Sequence, residues 1–274
     1  MTVPWFTASD DGAATCGLCP HACRLAPGKR GRCRARVNQG GKVVALTAGR
    51  VCSLALDPVE KKPLYHFHPG EQILSAGSWG CNLGCAFCQN WEISQQEAPT
   101  RPLAPEALAM AARETGVRLI AHTYNEPWVN FEYVLACARA AREAGLKTAL
   151  VSNGYWNLGP ARELLEFVDA ANLDLKAFRD DFYRELCGGS LAPVLAAIEL
   201  AKRHCHLELT TLLIPGKNDA PEDIAAEAAW IAEHCGADTP LHLSAYFPRW
   251  RLDAPPTPPE TLARARAIAR ERLR

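Results

Sequence analysis

Cys81-Asn82-Leu83-Gly84-Cys85-Ala86-Phe87-Cys88 sets three thiols at x3 and x2 spacing in a short, glycine-punctuated loop. Thiolates so spaced suit three corners of a cubane iron–sulfur cluster. Clusters of that kind ordinarily take four cysteines, so a triad leaves one iron without a protein ligand. An open metal position is a place for a ligand other than the protein, by the logic that separates catalytic from closed structural zinc sites. A zinc knuckle, or three thiols buried as small apolar groups, is the alternative reading of the same residues.

A second group, Cys16, Cys19, Cys23 and Cys33, runs C-x2-C-x3-C-x9-C. Four cysteines suffice for tetrahedral zinc or for a complete iron–sulfur cluster, and both stay open. The segment carrying them is short, turn-rich and poor in apolar residues, which is where a metal staple is needed. His21 lies among these cysteines and could replace one of them as a ligand, but reads as solvent-facing. Cys52, Cys137, Cys187, Cys205 and Cys235 are single and read as small core or near-surface hydrophobes.

The chain has 274 residues, enough for one large domain with a small appendage. Its 30 Lys and Arg balance 30 Asp and Glu, so no global basic field points to nucleic acid or an anionic membrane. Arg264 to Arg274, interrupted by Glu271, reads as a solvated helix face. No apolar run approaches the ~20 residues of a membrane span. Met1 to Asp11 lacks the basic and apolar regions of a signal peptide. These features predict a cytoplasmic protein whose 12 cysteines are reduced thiols or metal ligands rather than disulfides.

Positioning the cysteine loop requires a scaffold, and the pattern supplies one. Residues 1–69 form a cysteine-rich, metal-binding segment in which Lys42 to Leu46 and Arg50 to Leu56 alternate like a β hairpin. Asp57 to Phe67 is a polar and aromatic connector. From there, over residues 70–250, short apolar runs alternate with alanine-rich helical stretches. Ile73 to Gly77 delivers the cysteine loop. Pro105 to Thr115 precedes Val117 to Thr123, and Val129 to Ala144 precedes Leu146 to Ser152. Pro160 to Phe167 precedes Ala170 to Leu175, Pro193 to Arg203 precedes His206 to Ile214, and Pro221 to His234 precedes Leu241 to Phe247. Gly116, Gly145 and Gly236 fit helix C-terminal stops. The alternation predicts an α/β fold with parallel strands and right-handed crossovers, an open partial (β/α)6 barrel, with a doubly wound sheet as the alternative. Residues 251–274 form a helical tail.

In parallel α/β folds ligands sit beyond the carboxyl ends of the strands. Polar groups stand at every such end here. They are the cysteine loop, His122-Thr123-Tyr124-Asn125-Glu126-Pro127, Ser152-Asn153-Gly154-Tyr155, Asp174-Leu175-Lys176, Ile214-Pro215-Gly216-Lys217-Asn218-Asp219, and His242, Ser244 and Tyr246. Glu126 suits a ligand ammonium and Lys176 a ligand carboxylate.

Taken together these motifs resemble radical S-adenosylmethionine (SAM) enzymes, in particular the pyruvate formate-lyase-activating branch. Asp57 to Phe67, Cys88 to Gln95 and the cysteine-rich start resemble the AmmeMemoRadiSam-system radical SAM proteins. The resemblance implies a [4Fe-4S] cluster on Cys81, Cys85 and Cys88, with SAM on the open iron and Phe87 near its adenine. It implies Asn125 and Glu126 at the methionyl amine, with Asn125 standing where glycine is usual. Ser152 and Asn153 would lie near the methionyl carboxylate and ribose, and Lys176 near that carboxylate. Reductive cleavage would give a 5′-deoxyadenosyl radical that abstracts hydrogen from a small-molecule or protein substrate. An electron donor such as flavodoxin or ferredoxin, and Memo-like and AMMECR-type partners, are implied with it. A glycyl-radical-enzyme activase and a non-catalytic zinc module are the alternatives.

Overall fold

Residues 5–274 are described by a computed structural model; Met1 to Pro4, within the stretch read for a signal peptide, lie outside them. β1 (Phe6–Ala8), β2 (Ala14–Cys16) and β3 (Arg24–Leu25) make a small antiparallel sheet. β4 (Arg36–Gln39) and β5 (Lys42–Ala45) form the hairpin, turning at Gly40 and Gly41 with φ of +59° and +78°. Paired positive φ values are what a two-residue turn matched to strand twist requires, and glycine adopts them freely. The hairpin expected between Lys42–Leu46 and Arg50–Leu56 is therefore corrected. Lys42 pairs backwards with Gln39, and the later stretch splits into β6 (Arg50–Val51) and β7 (Ser53–Pro58).

Next come β8 (Gln72–Gly77), α1 (Trp91–Ser94), β9 (Arg101–Pro102), α2 (Pro105–Glu114), β10 (Leu119–His122) and α3 (Phe131–Glu143). β11 (Lys147–Ser152), α4 (Leu158–Leu165), β12 (Ala170–Asp174), α5 (Asp180–Phe182) and α6 (Leu191–His204) follow, then β13 (His206–Leu213), α7 (Pro221–His234), β14 (Leu241–Ala245) and α8 (Pro259–Ala269). The main sheet has the order β7-β8-β10-β11-β12-β13-β14, parallel throughout except for β7 at one edge. Spatial order follows chain order without reversal. A doubly wound sheet reverses at a switch point, so the unreversed run of six parallel strands is the predicted arc of a barrel. β7 adds an antiparallel edge strand that period counting does not supply.

Alternation along the strands sorts side chains to two faces. Leu74, Ala76 and Ile120 face α2 and α3 in one apolar cluster. Ile73, Leu119, Ala121, Ala149 and Ala170 face inward, where Val59, Leu64 and Phe67 of the connector cover them. The connector thus plugs one end of the half-barrel. Its backbone is anchored by inward polar groups: Asn172 donates to the Pro63 carbonyl at 2.9 Å, and Glu208 accepts from the Tyr65 and His66 amides at 3.0 and 2.8 Å. His242 belongs to this closed end, 2.6 Å from Glu208, because it precedes Ser244 by two positions along the strand. The buried polar groups here are satisfied structural ones.

Glu227 on α7 is different. Fully buried against the Thr211 hydroxyl, its carboxyl is pushed up to about 8 by burial. The folded chain keeps it protonated at neutral pH, whereas the unfolded chain ionises it near ~4.3. Folding therefore takes up a proton between those values, and stability falls with rising pH by at most about 1.4 kcal/mol per unit. Glu227→Gln removes that dependence, so its advantage over the native chain should grow between about pH 5 and pH 8 in denaturant titrations. An advantage that stays flat with pH would contradict the assignment.

Among the described residues, no helix is long and apolar enough to cross a membrane.

Candidate active site

The strand ends converge on a cavity of about 300 Å3. Cys81, Cys85, Cys88 and Phe87 form one wall, and Asn125, Glu126, Ser152, Asn153, Asp174 and Lys176 line the rest. Ser244 also reaches it, while His242 does not. A wider groove of about 570 Å3 runs along β14 and α8, but it holds no thiol.

Three elements hold the cysteine loop by its backbone. Gly84 and Ala86 donate to the carbonyls of Cys187 and Leu186, both at 2.8 Å, on the π-helical turn Tyr183–Cys187. Gln95, just after α1, donates to the Leu83 carbonyl at 3.0 Å. Arg251 and Leu252 of the tail both donate to the Ala86 carbonyl, at 2.9 and 3.0 Å. A loop pinned at three residues presents its sulfurs without needing the rest of the site to order it. Weak donors already face Cys81: the Leu83 amide at 3.4 Å and the Asn153 side-chain amide at 3.5 Å.

Glu126 ties two strand ends together. Its Oε1 accepts from the Ser152 hydroxyl at 2.7 Å and the Trp128 amide at 3.1 Å, and its Oε2 accepts from the Asn153 amide at 2.9 Å. Burial nevertheless pushes the carboxyl up to about 7 against those hydrogen bonds. Ser152 and Asn153 are occupied in turn. The Ser152 hydroxyl receives the Trp156 indole N–H at 3.0 Å, and Asn153 donates to Asn82 Oδ1 at 2.8 Å. Asn125 is turned away: its amide accepts from Ser78 N at 2.9 Å and donates to the Gly80 carbonyl at 3.1 Å. That use staples the β8 exit to the β10 exit. Only the Asn125 backbone carbonyl is left to face a ligand.

Lys176 reaches Asp174 at 2.8 Å and sits 6.0 Å from the Phe87 ring centroid. Burial opposes its charge, but Asp174 and neighbouring thiols hold its ionisation well above the usual lysine range. Phe87 is buried against Phe182, with centroids 5.7 Å apart.

Cys187, read from sequence as a core thiol, interacts with the triad. It is fully buried, and interaction with its thiol, together with the Lys176 charge, holds the Cys85 thiol below its usual value despite burial. No local signal marks Cys187, because only the packing of the π-helical turn brings it there. Asn82 is the other residue missed. Its side chain donates to the Tyr155 carbonyl at 2.8 Å, and its own carbonyl lies 2.8 Å from His21 Nε2. His21 is accordingly half-buried rather than solvent-facing, with its ring 5.1 Å from that of Tyr155.

Cys16, Cys19, Cys23 and Cys33 line a separate small void with His21 and Arg36. The segment is docked firmly: Trp128 donates to the Leu18 carbonyl at 2.6 Å and Asn157 to the Gly17 carbonyl at 2.8 Å.

The profile of the Radical SAM superfamily matches residues 78–228, over half of the chain, and the chain belongs to that superfamily. It is a radical SAM enzyme, and enzymes of this superfamily use a [4Fe-4S] cluster and S-adenosylmethionine. An uncharacterized protein of Methanocaldococcus jannaschii is 41% identical over 272 residues, 97% of this chain and 81% of that one. The pyruvate formate-lyase 1-activating enzyme of Escherichia coli K12 is 29% identical over 151 residues. That match covers 51% of this chain and 60% of the activating enzyme, so less than two thirds of that relative is represented here. In structure, TYW1 with a lysine-pyruvate adduct bound superposes with a TM-score of 0.57 at 18% identity, over 82% of this chain and 84% of that one. At such identity the likeness is one of fold.

Proposed function

We propose that Cys81, Cys85 and Cys88 hold the [4Fe-4S] cluster, that SAM occupies the adjoining cavity, and that the enzyme abstracts a hydrogen atom from its substrate. The observation carrying this reading is the convergence of three thiols, a lysine–aspartate pair and a buried glutamate on one cavity. The donor set fits, since soft thiolates suit iron–sulfur clusters and the volume falls at the lower end of ligand pockets. Held by Cys81, Cys85 and Cys88, the cluster would supply the one electron needed for reductive cleavage of the SAM sulfonium.

The chain's own part is binding and orientation. Lys176, fixed by Asp174, meets the methionyl carboxylate as a charge-assisted donor. Glu126 keeps one acceptor position on Oε2 for the methionyl ammonium, and that positive charge draws the carboxyl back toward its ionised form. Ser152 and Asn153 act chiefly by holding Glu126, and Asn125 offers its backbone carbonyl. Phe87 supplies an apolar wall for the adenine.

Membership of the AmmeMemoRadiSam group is part of this reading, supported by Asp57 to Phe67, Cys88 to Gln95 and the cysteine-rich start. Memo-like and AMMECR-type proteins are then the candidate partners, and flavodoxin or ferredoxin the electron donor in the cytoplasm. We assign residues 1–69 to a metal-binding segment, 70–250 to the barrel and 251–274 to the tail, with β7 lent to the barrel's edge. Cys16, Cys19, Cys23 and Cys33 make a second metal site, zinc or iron–sulfur on chemistry alone.

A glycyl-radical-enzyme activase is the second reading. The likeness to the Escherichia coli activating enzyme favours it, as does Phe247, 62% exposed at the rim with its carbonyl 3.3 Å from Gln89.

The test is the electron paramagnetic resonance spectrum of reconstituted, reduced protein with and without SAM. A spectrum shifted by SAM is expected from a ligand on an open iron. A spectrum indifferent to SAM would overturn the reading.

A further inference from the structure

We propose that Trp128 and Trp156 are positioning residues for SAM: stacked on each other, they link the turn between Cys16 and Cys19 to the Ser152 hydroxyl and so fix Glu126. Their role rests on SAM occupying the cavity, as proposed above.

The link starts at the cysteine-rich segment. A buried indole N–H needs an acceptor. Trp128, on the helical turn Pro127–Asn130, donates its own to the Leu18 carbonyl at 2.6 Å, midway between Cys16 and Cys19. The same carbonyl accepts from the Asn157 amide at 3.0 Å, and the Gly17 carbonyl takes the Asn157 side chain at 2.8 Å. The turn is thus bonded both to Trp128 and to the residue after Trp156. The two indoles, each 1% exposed, stack with centroids 4.7 Å apart and planes 16° apart. In a close-packed interior a ring held at Leu18 holds its stacked neighbour too. So held, the Trp156 N–H meets Ser152 Oγ at 3.0 Å.

Hydrogen counting at Ser152 then gives the contact a direction. A hydroxyl has one hydrogen and two lone pairs. The Trp156 indole and the Gly154 amide, the latter at 3.3 Å, can only donate to it. With both lone pairs taken, the hydroxyl hydrogen goes to Glu126 Oε1, 2.7 Å away. The Trp128 amide is the second donor to Oε1, so both tryptophans serve one oxygen. Oε2, with the Asn153 amide, is left for the methionyl ammonium. The cysteine-rich segment steadies Asn153 as well. The Asn153 side chain donates to Asn82 Oδ1 at 2.8 Å, and the Asn82 carbonyl accepts from His21 Nε2 at 2.8 Å. A carboxylate whose donors are themselves locked is preorganised for its ligand.

The test is a double-mutant cycle on SAM binding to anaerobically reconstituted protein, read by equilibrium dialysis with labelled SAM. Iron per chain and melting temperature are measured on each sample. Trp156→Phe keeps an aromatic ring for the stack and gives up the N–H. It should weaken SAM binding about tenfold while the chain keeps its full iron. Ser152→Ala should weaken binding at least as much. Adding Trp156→Phe to Ser152→Ala should weaken it no further, because the hydroxyl through which the indole acts is gone. Trp128→Phe gives up Leu18 and should weaken binding about threefold alone, and not at all on Ser152→Ala. It also supplies the cycle if Trp156→Phe does not fold. Tryptophans that merely fill the core would instead give losses that add to that of Ser152→Ala, and additive losses would overturn the inference. Native affinity in either tryptophan variant would overturn it too. Native protein that binds no SAM would defeat the reading of the cavity itself.

Discussion

Replacing Cys85 with alanine is expected to reduce 5′-deoxyadenosine release to background, a loss of at least about a thousandfold, in a chain that still folds. The substitution removes the most deeply placed of the three thiols, 7% exposed, from the middle of the loop. The hydrogen bonds that shape the loop use backbone atoms of Leu83, Gly84 and Ala86, and alanine leaves them in place. The lost activity is therefore attributable to the missing ligand rather than to a collapsed loop. Cys187 is the complication, because its buried thiol interacts with that of Cys85 and is itself a soft ligand. The Cys85→Ala, Cys187→Ala double variant settles that point. Cys205→Ala, far from the cavity, is the control and should release product like the native chain. Product release by the double variant at the native rate would contradict the assignment of the triad.

The second large effect is on stability. Asp57 on β7 accepts from Lys61 at 2.7 Å, from Lys62 at 2.7 Å and from the Tyr124 hydroxyl at 2.5 Å. Lys62 is 2% exposed and lies 4.4 Å from the Tyr124 ring centroid. Tyr124 itself holds a left-handed φ of +74° beside the active site, and its carbonyl accepts from Asn90. The pair thus connects the plugging connector to the strand end that carries Glu126. Asp57→Ala would leave the Lys62 ammonium buried without its counter-charge, at a cost of about 3–5 kcal/mol. Adding Lys62→Met should restore most of that loss, since an apolar pair of similar volume is often neutral. Equal instability of the single and double variants would show that the charge is not the cause.

The same carboxylate sets an acid limit. Burial alone would raise its pKa, but the hydrogen bonds from the two lysines and the tyrosine outweigh burial and hold it well below the usual range. A depressed carboxylate stabilises the fold above its unfolded value of ~3.9 and loses that contribution as pH falls below it. The native chain should therefore lose stability below about pH 4 more steeply than the Asp57→Ala, Lys62→Met variant.

The parallel core was legible because local features punctuate it. Gly116, Gly145 and Gly236, all at positive φ, close helices near the positions their neighbours suggest, and Pro221 opens α7 where the pattern places it. Strand ends were legible for the same reason: the cysteine loop, Asn125, Glu126, Ser152, Asn153, Asp174, Lys176 and Ser244 line one cavity, whereas residues 214–219, His242 and Tyr246 do not. Features set by distant pairing were not. Ser53–Pro58 alternates like a hairpin strand whichever neighbour it meets, and only the fold shows that it pairs with Gln72–Gly77. Residue type places Asn125 at the site, but nothing local says that its amide is consumed at Ser78 and Gly80. Cys187, Asn82 and the Asp57–Lys62 pair likewise acquire roles from neighbours far along the chain. His242 shows the converse: a polar residue near a strand end that the strand's own length carries to the closed side.

The central claim is that this cavity uses its cysteine triad to cleave SAM reductively. Its most direct measurement is anaerobic incubation of the reconstituted protein with SAM and dithionite, followed by chromatographic quantification of 5′-deoxyadenosine. The account expects 5′-deoxyadenosine to accumulate with time only when both reductant and an intact triad are present. No product above the reductant-free sample, from protein carrying its full iron and sulfide, would contradict it.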